Sequence, residues 1–435
     1  MRALRGASAN LNPGTDVHII DELTWRGLIY QLSDEAKLRE HFNTPGRTLY
    51  CGFDPTAKSL HIGNMVPLLA LLRFKRAGHD PIVLMGGATG RIGDPSGKDV
   101  ERQLLDYDAI ESNIANVRSQ VHKLFGDDTR VVNNYEWTES LSIIAFLRDV
   151  GKHFTVNMMM GKESVRARIE RDEVGISYTE FSYMLLQAFD FYHLYEEHDC
   201  RLQIGGSDQW GNITAGTELV RKKAGGEAYA LTFPLITTAS GAKFGKSEKG
   251  AIYLDPDLTS PWDFYQYWVN ADDRDVVKFL KYFTFKSQDE VAALEAAHEA
   301  APHKREAHKA LATEMTEMIH GKAEVAKIQT AVDVLFGGGD MSQADPATLK
   351  AALDAAPAVS YAADAIPSVP DMLLDLGLVQ SKGQAKKDIK GGGVRVNNAQ
   401  IVDIGHTPAA SDFLGDEVLV LRKGKKNYGL VTLNK

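Results

Sequence analysis

A chain of 435 residues, 44% hydrophobic and 25% charged, has the make-up of a globular protein of about two to four domains. Its apolar stretches break well short of the ~20 residues that cross a bilayer, which points to a cytoplasmic protein with no membrane partner, and two cysteines exclude a disulfide framework or a C-x-x-C zinc pattern. The net charge of −9 hides an asymmetry: from Lys382 onward ten basic residues meet five acidic ones, a segment of +5 on a remainder of −14, which fits local nucleic-acid binding or a solvated lysine face.

In chain order, residues 1–20 read as an N-terminal extension. Residues 48–53 form a buried strand, 64–76 an amphipathic helix carrying Leu68, Leu69, Leu71, Leu72 and Phe74, and 81–85 a second strand, a βαβ unit. Strand-like runs at 202–204 and 231–236, with a helical pattern at 179–194 between the two halves, favour an α/β fold built on a doubly wound parallel sheet that ends near Leu254. From Ser260 the pattern turns helical, with an aromatic stripe from Trp262 to Phe285 expected to be core, and a second helical stretch at 303–335. Gly337, Gly338 and Gly339 open a linker to Pro370 with a short helix at 347–355; residues 371–435 pair two helical patterns with β-like runs at 394–396 and 418–421. The expected division is therefore 1–20, 21–255, 256–340, 341–370 and 371–435.

Several segments carry chemistry. Tyr50-Cys51-Gly52-Phe53-Asp54-Pro55-Thr56, running on to His61-Ile-Gly-Asn64, joins the first strand to its helix, where sheets of this kind bind ligands and helix N-termini attract anions. Gly52 and Gly63 let a nucleotide approach the backbone, and His61 and Asn64, one turn apart, are both able to donate to a phosphate. The loop Gly86 to Lys98 fails the Walker A spacing, leaving Asp94, Lys98 and Arg102 as partners for an ammonium and for phosphates, or a plain surface loop. Tyr183, Gln187 and Asp190 share one helical face flanked by apolar side chains, a polar row suited to a lined pocket. Gly205-Gly206-Ser207-Asp208-Gln209 offers Asp208 for ribose and Gln209 for a carboxylate, and Lys243-Phe-Gly-Lys246-Ser247 supplies two ammonium groups and a hydroxyl for a polyphosphate.

Taken in this order, the segments resemble bacterial-type tyrosyl-tRNA synthetases over nearly the whole chain from Asp21. His61 to Asn64 matches the HIGH signature and Lys243 to Ser247 the KMSKS signature of class I synthetases. Tyr50, the Tyr183 to Asp190 row and the Gly205 to Asn212 loop narrow the match to tyrosine. The resemblance implies a Rossmann-like catalytic domain, an α-helical domain and a small α+β S4-like domain over 371–435. It also implies a two-step reaction in which tyrosine attacks the α-phosphate of ATP and is then passed to tRNA(Tyr), with Mg2+ accompanying ATP, no tightly bound metal and a homodimeric assembly.

By the same resemblance, Thr56 and His61 hold the γ-phosphate side, and Lys98, Arg102, Lys243, Lys246 and Ser247 stabilise the leaving pyrophosphate. Asn64 belongs to this catalytic group; Gly52, Asp54, Gly63, Gly206 and Asp208 hold the rest of ATP. Asp94, Tyr183 and Gln187 take the tyrosine ammonium, Gln209 its carboxylate, and Tyr50 and Asp190 its phenol. Lys382, Lys386, Lys387, Arg395, Lys425 and Lys426 are the implied RNA contacts. Asn64 stands where histidine is usual, and Ser247 where threonine is frequent. Two rival readings are a tryptophanyl-tRNA synthetase and an RNA-binding protein that keeps a synthetase body without catalysis.

Overall fold

The computed structural model describes residues 17–96, 106–162, 165–166, 169, 175–241, 244–247 and 250–434, with only the backbone of Ser247. Lys98, Arg102 and Lys243 lie outside the described residues. Contacts divide the chain into two compact units, Met1–Asp255 with Ala271–Ala307, and Pro256–Asn270 with His308–Lys435.

The first unit is built on a six-stranded sheet. Its strands are β1 (Gln31–Leu32), β2 (Thr48–Phe53), β3 (Asp80–Met85), β4 (Arg130–Asn133), β5 (Cys200–Gly206) and β6 (Tyr229–Phe233), in the order β1-β6-β5-β2-β3-β4. All neighbours are parallel, as expected of a doubly wound parallel sheet, except the edge strand β1, which runs antiparallel to β6. Strand β1 was not legible because its two residues carry no periodicity. Strand β6 stops at Phe233, before Pro234, which has no N–H for a ladder.

Helix α1 (Met65–Arg76) returns β2 to β3, and α2 (Tyr107–Phe125) returns β3 to β4. Helix α3 (Tyr178–His198) starts at a Ser177/Glu180 capping box and ends where Asp199 turns left-handed at φ 47°; it is followed by β5 and by α4 (Trp210–Ala224). Because β2 leads to β3 on one side while β5 leads to β6 on the other, a crevice opens at the carboxyl ends of β2 and β5.

At the far end of this sheet, buried His79 and half-buried His41 each pack edge-on to Phe42. His41 Nε2 and His79 Nδ1 lack hydrogen-bond partners, and burial pulls both imidazoles down to about 4, helped at His41 by Arg47 and at His79 by His18 and His41. A histidine with a lowered folded pKa stabilises the fold above its unfolded value near 6.5 and loses that stabilisation as pH falls toward 4. Moving from pH 7 to pH 5 therefore removes about 2 kcal/mol through His79 alone. Urea unfolding of His79→Leu is expected to show that much less pH sensitivity over this window than the unaltered protein; equal sensitivity would refute the assignment.

In the second unit, α5 (Pro261–Val269) buries Trp262, Phe264, Tyr265 and Trp268, whereas Phe279 and Phe283 of the aromatic stripe are core residues of the first unit. The helical stretch expected at 303–335 is two helices, α6 (Glu306–His320) and α7 (Lys322–Val332), separated by Gly321 at φ 96°. Beyond α8 (Pro346–Ala352), the expected linker contains a strand, β9 (Ala358–Ala362).

Strand β9 forms the edge of a five-stranded sheet, in the order β11-β10-β12-β13-β9, with β10 (Val394–Val396), β11 (Ala399–Gln400), β12 (Val418–Lys423) and β13 (Asn427–Asn434). Helices α9 (Val369–Asp375) and α10 (Lys382–Lys390) cover one face through Met372, Leu373 and Ile389 on Leu419 and Leu421. Val334, Met341 and Leu349 cover the other through Val418 and Val420. This arrangement is the small α+β S4-like architecture.

Candidate active site

His61 ends the strand-to-helix connection in extended backbone, and Ile62–Asn64 form a single 3-10 turn leading into α1. Its Nδ1 accepts from Gly63 N at 3.0 Å, so the neutral ring carries its proton on Nε2. Asn64 Oδ1 accepts from His61 N at 3.1 Å, closing a reciprocal cap. Asn64 thus uses its oxygen to shape the turn and retains Nδ2 as a donor for an anion. A neutral imidazole at this position can likewise accept with one nitrogen and donate with the other, and as the imidazolium it gives up the cap for a charge-assisted donor to an anion, which asparagine cannot provide. Asn64→His is expected to raise the ATP–pyrophosphate exchange rate several-fold, about 1 kcal/mol of added interaction; an unchanged or lower rate would count against this role.

The second signature is held against the first. A short hairpin, β7 (Lys246–Ser247) with β8 (Gly250–Ala251), is followed by Ile252, whose N–H donates to Gly245 O at 3.0 Å while its carbonyl accepts from Ile62 N at 2.9 Å. His61 and Tyr253 form a bridge beside it. Gly245 has φ 84°, a left-handed backbone that favours glycine, and a Cβ there would stand in van der Waals contact with Gly63 N at 3.4 Å. Phe244 anchors the loop by stacking on Phe283 with ring centroids 5.3 Å apart and 7° between planes.

A cavity of about 620 Å³ fills the crevice. Its lining brings together Tyr50, Gly52, Asp54, Thr56, His61, Gly63, Asn64, Asp94, Tyr183, Gln187, Asp190, Gly206, Asp208 and Gln209, all read from the sequence as site residues. Lys246 is exposed and is not part of the lining.

At one end of the cavity, Tyr50 and Asp190 are almost fully buried. Asp190 Oδ2 accepts from Asn134 Nδ2 and Oδ1 from Trp137 Nε1, both at 2.9 Å. Burial pushes this carboxyl up to about 7, against the pull of those two donors. The Tyr50 hydroxyl is buried without a partner, and burial, then the Asp190 charge, raise it well above the ordinary phenol value. An orphaned hydroxyl beside an incompletely compensated carboxyl is a costly arrangement that a ligand with one polar atom, both donor and acceptor, relieves.

Tyr183 donates to Asp54 Oδ2 at 3.2 Å, and Thr89 donates to Asp54 Oδ1 at 2.9 Å. Asn134 Nδ2 in turn donates to Thr89, linking Asp54 to Asp190 through neutral side chains. Gly86 and Gly87, at the start of the Gly86 to Lys98 loop, make room for neighbouring side chains: Cβ atoms there would fall 2.2 Å from Asp54 Oδ1 and 2.1 Å from Asn133 Oδ1.

Gln209 Nε2 donates to Asp94 Oδ2 at 2.6 Å and to Asp208 Oδ2 at 3.3 Å, and Asn212 Nδ2 reaches Asp94 Oδ1 at 3.4 Å. Both amide hydrogens of Gln209 point at carboxylates, so in this arrangement it braces Asp94 and Asp208 and offers no donor to a substrate carboxylate. Burial raises Asp208 above the usual carboxylate range.

Sequence reading missed Asn134, Trp137, Thr89 and Asn212. Asn212 lies in the recognised Gly205 to Asn212 loop and Thr89 in the Gly86 to Lys98 loop; Asn134 and Trp137 have no motif, and only the end of β4 brings them to α3. Among the expected RNA contacts, Lys386, Lys387, Lys425 and Lys426 are exposed on α10 and on the turn after β12. Lys382 is paired with Asp371, and Arg395 donates to Asn398 O at 2.8 Å.

The family model for class I tRNA synthetases (W and Y) matches residues 43–337, and that for the C-terminal domain of tyrosine–tRNA ligases matches 348–431. The chain is 49% identical over 419 residues to a tyrosine–tRNA ligase of Bacillus caldotenax, covering 95% of this chain and 99% of the relative, and 49% identical over 425 residues, at the same coverage, to one of Opitutus terrae. A C-terminally truncated mitochondrial tyrosyl-tRNA synthetase of Aspergillus nidulans superposes with TM-score 0.67 at 31% identity, covering 73% of this chain and 94% of that one. An Archaeoglobus fulgidus tyrosyl-tRNA synthetase complexed with L-tyrosine shares the fold, with TM-score 0.53 at 19% identity over 72% of this chain and 99% of its own. With the two signatures meeting across one crevice that the buried Tyr50 and Asp190 also line, the chain belongs to the tyrosyl-tRNA synthetases of class I.

Proposed function

We propose that the described cavity binds tyrosine with its phenol between Tyr50 and Asp190 and ATP along the His61 to Asn64 turn, activates tyrosine as the adenylate, and passes it to the 3′ end of tRNA(Tyr). The observation that carries this reading is the buried, unpartnered Tyr50 hydroxyl beside Asp190. A tyrosine phenol accepts from one and donates to the other, whereas phenylalanine leaves both unmet at a cost of several kcal/mol. An indole N–H donates to Asp190 but gives Tyr50 nothing to donate to, which disfavours the tryptophan reading.

The ammonium group falls to Asp94, Tyr183 and Gln187, and ribose to Asp208 with Gly206. Thr56 and His61 take the γ-phosphate side, and Gly52, Asp54 and Gly63 the remainder of ATP. ATP arrives as its magnesium complex, the ion held by the phosphates. Lys98, Arg102, Lys243, Lys246 and Ser247 meet the pyrophosphate as its charge develops. Catalysis is assigned to residues 21–255 and tRNA contact to 371–435, led by Lys386, Lys387, Lys425 and Lys426, whose phosphate contacts make binding weaken with salt.

A homodimer is supported by the exposed apolar side chains of Ile143, Ile144, Leu147, Val156 and Met160, all in the segment between β4 and α3, which a partner surface would cover. No helix among the described residues is long and apolar enough to cross a membrane. The deciding experiment is ATP–pyrophosphate exchange with tyrosine, phenylalanine and tryptophan in turn. Exchange with tyrosine alone is expected; exchange with tryptophan alone would overturn the specificity, and none with any of them would favour an RNA-binding protein without catalysis.

A further inference from the structure

Helix α3 grips Trp137 at two points. Asp190 accepts from the indole N–H at 2.9 Å, and His193, three residues on and therefore on the same helical face, stacks on the indole with ring centroids 4.3 Å apart and 19° between planes. Trp137 needs such support. It stands on a helix of only four residues, Tyr135–Thr138, too short to hold its own geometry, and one side of its ring packs on the cluster containing Tyr50 and Phe191. We propose that His193 is a positioning residue for tyrosine recognition, its ring clamping the Trp137 indole so that the N–H stays on Asp190 and fixes the carboxylate that reads the phenol.

The imidazole itself touches no substrate position: it does not line the cavity, and its other ring neighbour is Phe189, 6.5 Å away. Its contribution is therefore orientation, transmitted through one stacking contact and one hydrogen bond. Losing the clamp lets the indole tilt, and the Asp190 oxygen then shifts between Trp137 and the incoming hydroxyl. Tyrosine binding and discrimination against phenylalanine suffer, while ATP use does not.

This inference rests on Asp190 as the phenol reader, and the test separates the two. In ATP–pyrophosphate exchange, His193→Ala is expected to raise KM for tyrosine about tenfold with kcat and KM for ATP unchanged. His193→Phe, which keeps a flat stacking ring, should restore KM to within about twofold, and His193→Leu, which keeps only bulk, should not. Trp137→Phe removes the N–H, so adding His193→Ala to it should change KM by less than about twofold. Equal rescue by leucine and phenylalanine, or a full tenfold effect of His193→Ala on the Trp137→Phe background, overturns the inference; if His193→Ala fails to fold, the phenylalanine and leucine variants decide it. Asp190→Asn in the same assay isolates the underlying reading. Discrimination preserved there brings down the reading itself, whereas discrimination lost there with independent His193 and Trp137 effects overturns only the clamp.

Discussion

Replacing Asp190 with asparagine is expected to lower kcat/KM for tyrosine about 10³-fold while leaving thermal stability nearly unchanged. The loss has two parts. A hydrogen bond to a charged acceptor contributes about 2 kcal/mol, and the amide that replaces it must turn an NH2 group toward either Asn134 or Trp137, both donors already aimed at this position. The amide oxygen is held by whichever of those donors it keeps, so the phenol proton of bound tyrosine is left without an acceptor at about 2 kcal/mol more, and about 4 kcal/mol corresponds to about three factors of ten. Stability follows the opposite logic. The carboxyl sits at about 7 because burial disfavours its charge, so a neutral amide removes that penalty and offsets the lost bond. A pH dependence follows with a definite sign: the ionised form that accepts from the phenol grows as pH rises through 7, so KM for tyrosine should fall between pH 6 and pH 8 in the unaltered enzyme and stay flat in Asp190→Asn. Retained activity in the variant, or the same pH dependence in both, would exclude Asp190 from phenol recognition.

How far this site was legible in the sequence depends on whether a residue's partner is near it in the chain. The polar row Tyr183, Gln187 and Asp190 was readable because helical spacing alone sets those side chains on one face, and the cavity lining includes all three. What positions them was not. Asn134 and Trp137 precede Asp190 by 56 and 53 residues and reach it only because β4 ends beside α3, a consequence of sheet order that no local pattern encodes. Gln209 shows the same limit from the other side. Its amide is a natural carboxylate donor, and from sequence nothing distinguishes a substrate carboxylate from Asp94, 115 residues away, which takes it here. In the fold, long buried strands were legible from their apolar runs, whereas β9 was absorbed into an Ala/Pro-rich linker because its pairing with β13 is its main support. The break between α6 and α7 at Gly321 was equally silent, since glycine lies in many helices without ending them and only its φ of 96° reveals the stop.

Lys246→Ala is expected to lower kcat for tyrosine activation by about 10²–10³ with less than a threefold change in the equilibrium binding of ATP or tyrosine. The argument rests on where the ammonium stands. Lys246 opens β7 directly after Gly245, whose left-handed backbone and contact with Gly63 tie the hairpin to the first signature, yet the side chain is exposed and outside the cavity lining. A cation in that place adds little to holding the substrates at rest. The pyrophosphate role proposed for it acts as charge builds on that leaving group, and interactions present in the transition state alone raise kcat without lowering KM. The removal of one preorganised group of this kind costs about 3–4 kcal/mol. Gly245→Ala supplies an independent check on the geometry. Alanine at φ 84° costs about 1–2 kcal/mol of backbone strain, so the hairpin shifts and kcat falls about tenfold with tyrosine affinity intact. Single-turnover rates set beside equilibrium dialysis of each substrate separate the two quantities. A Lys246→Ala enzyme whose ATP affinity drops in step with its rate would place the lysine in ground-state binding and refute its assignment to the transition state.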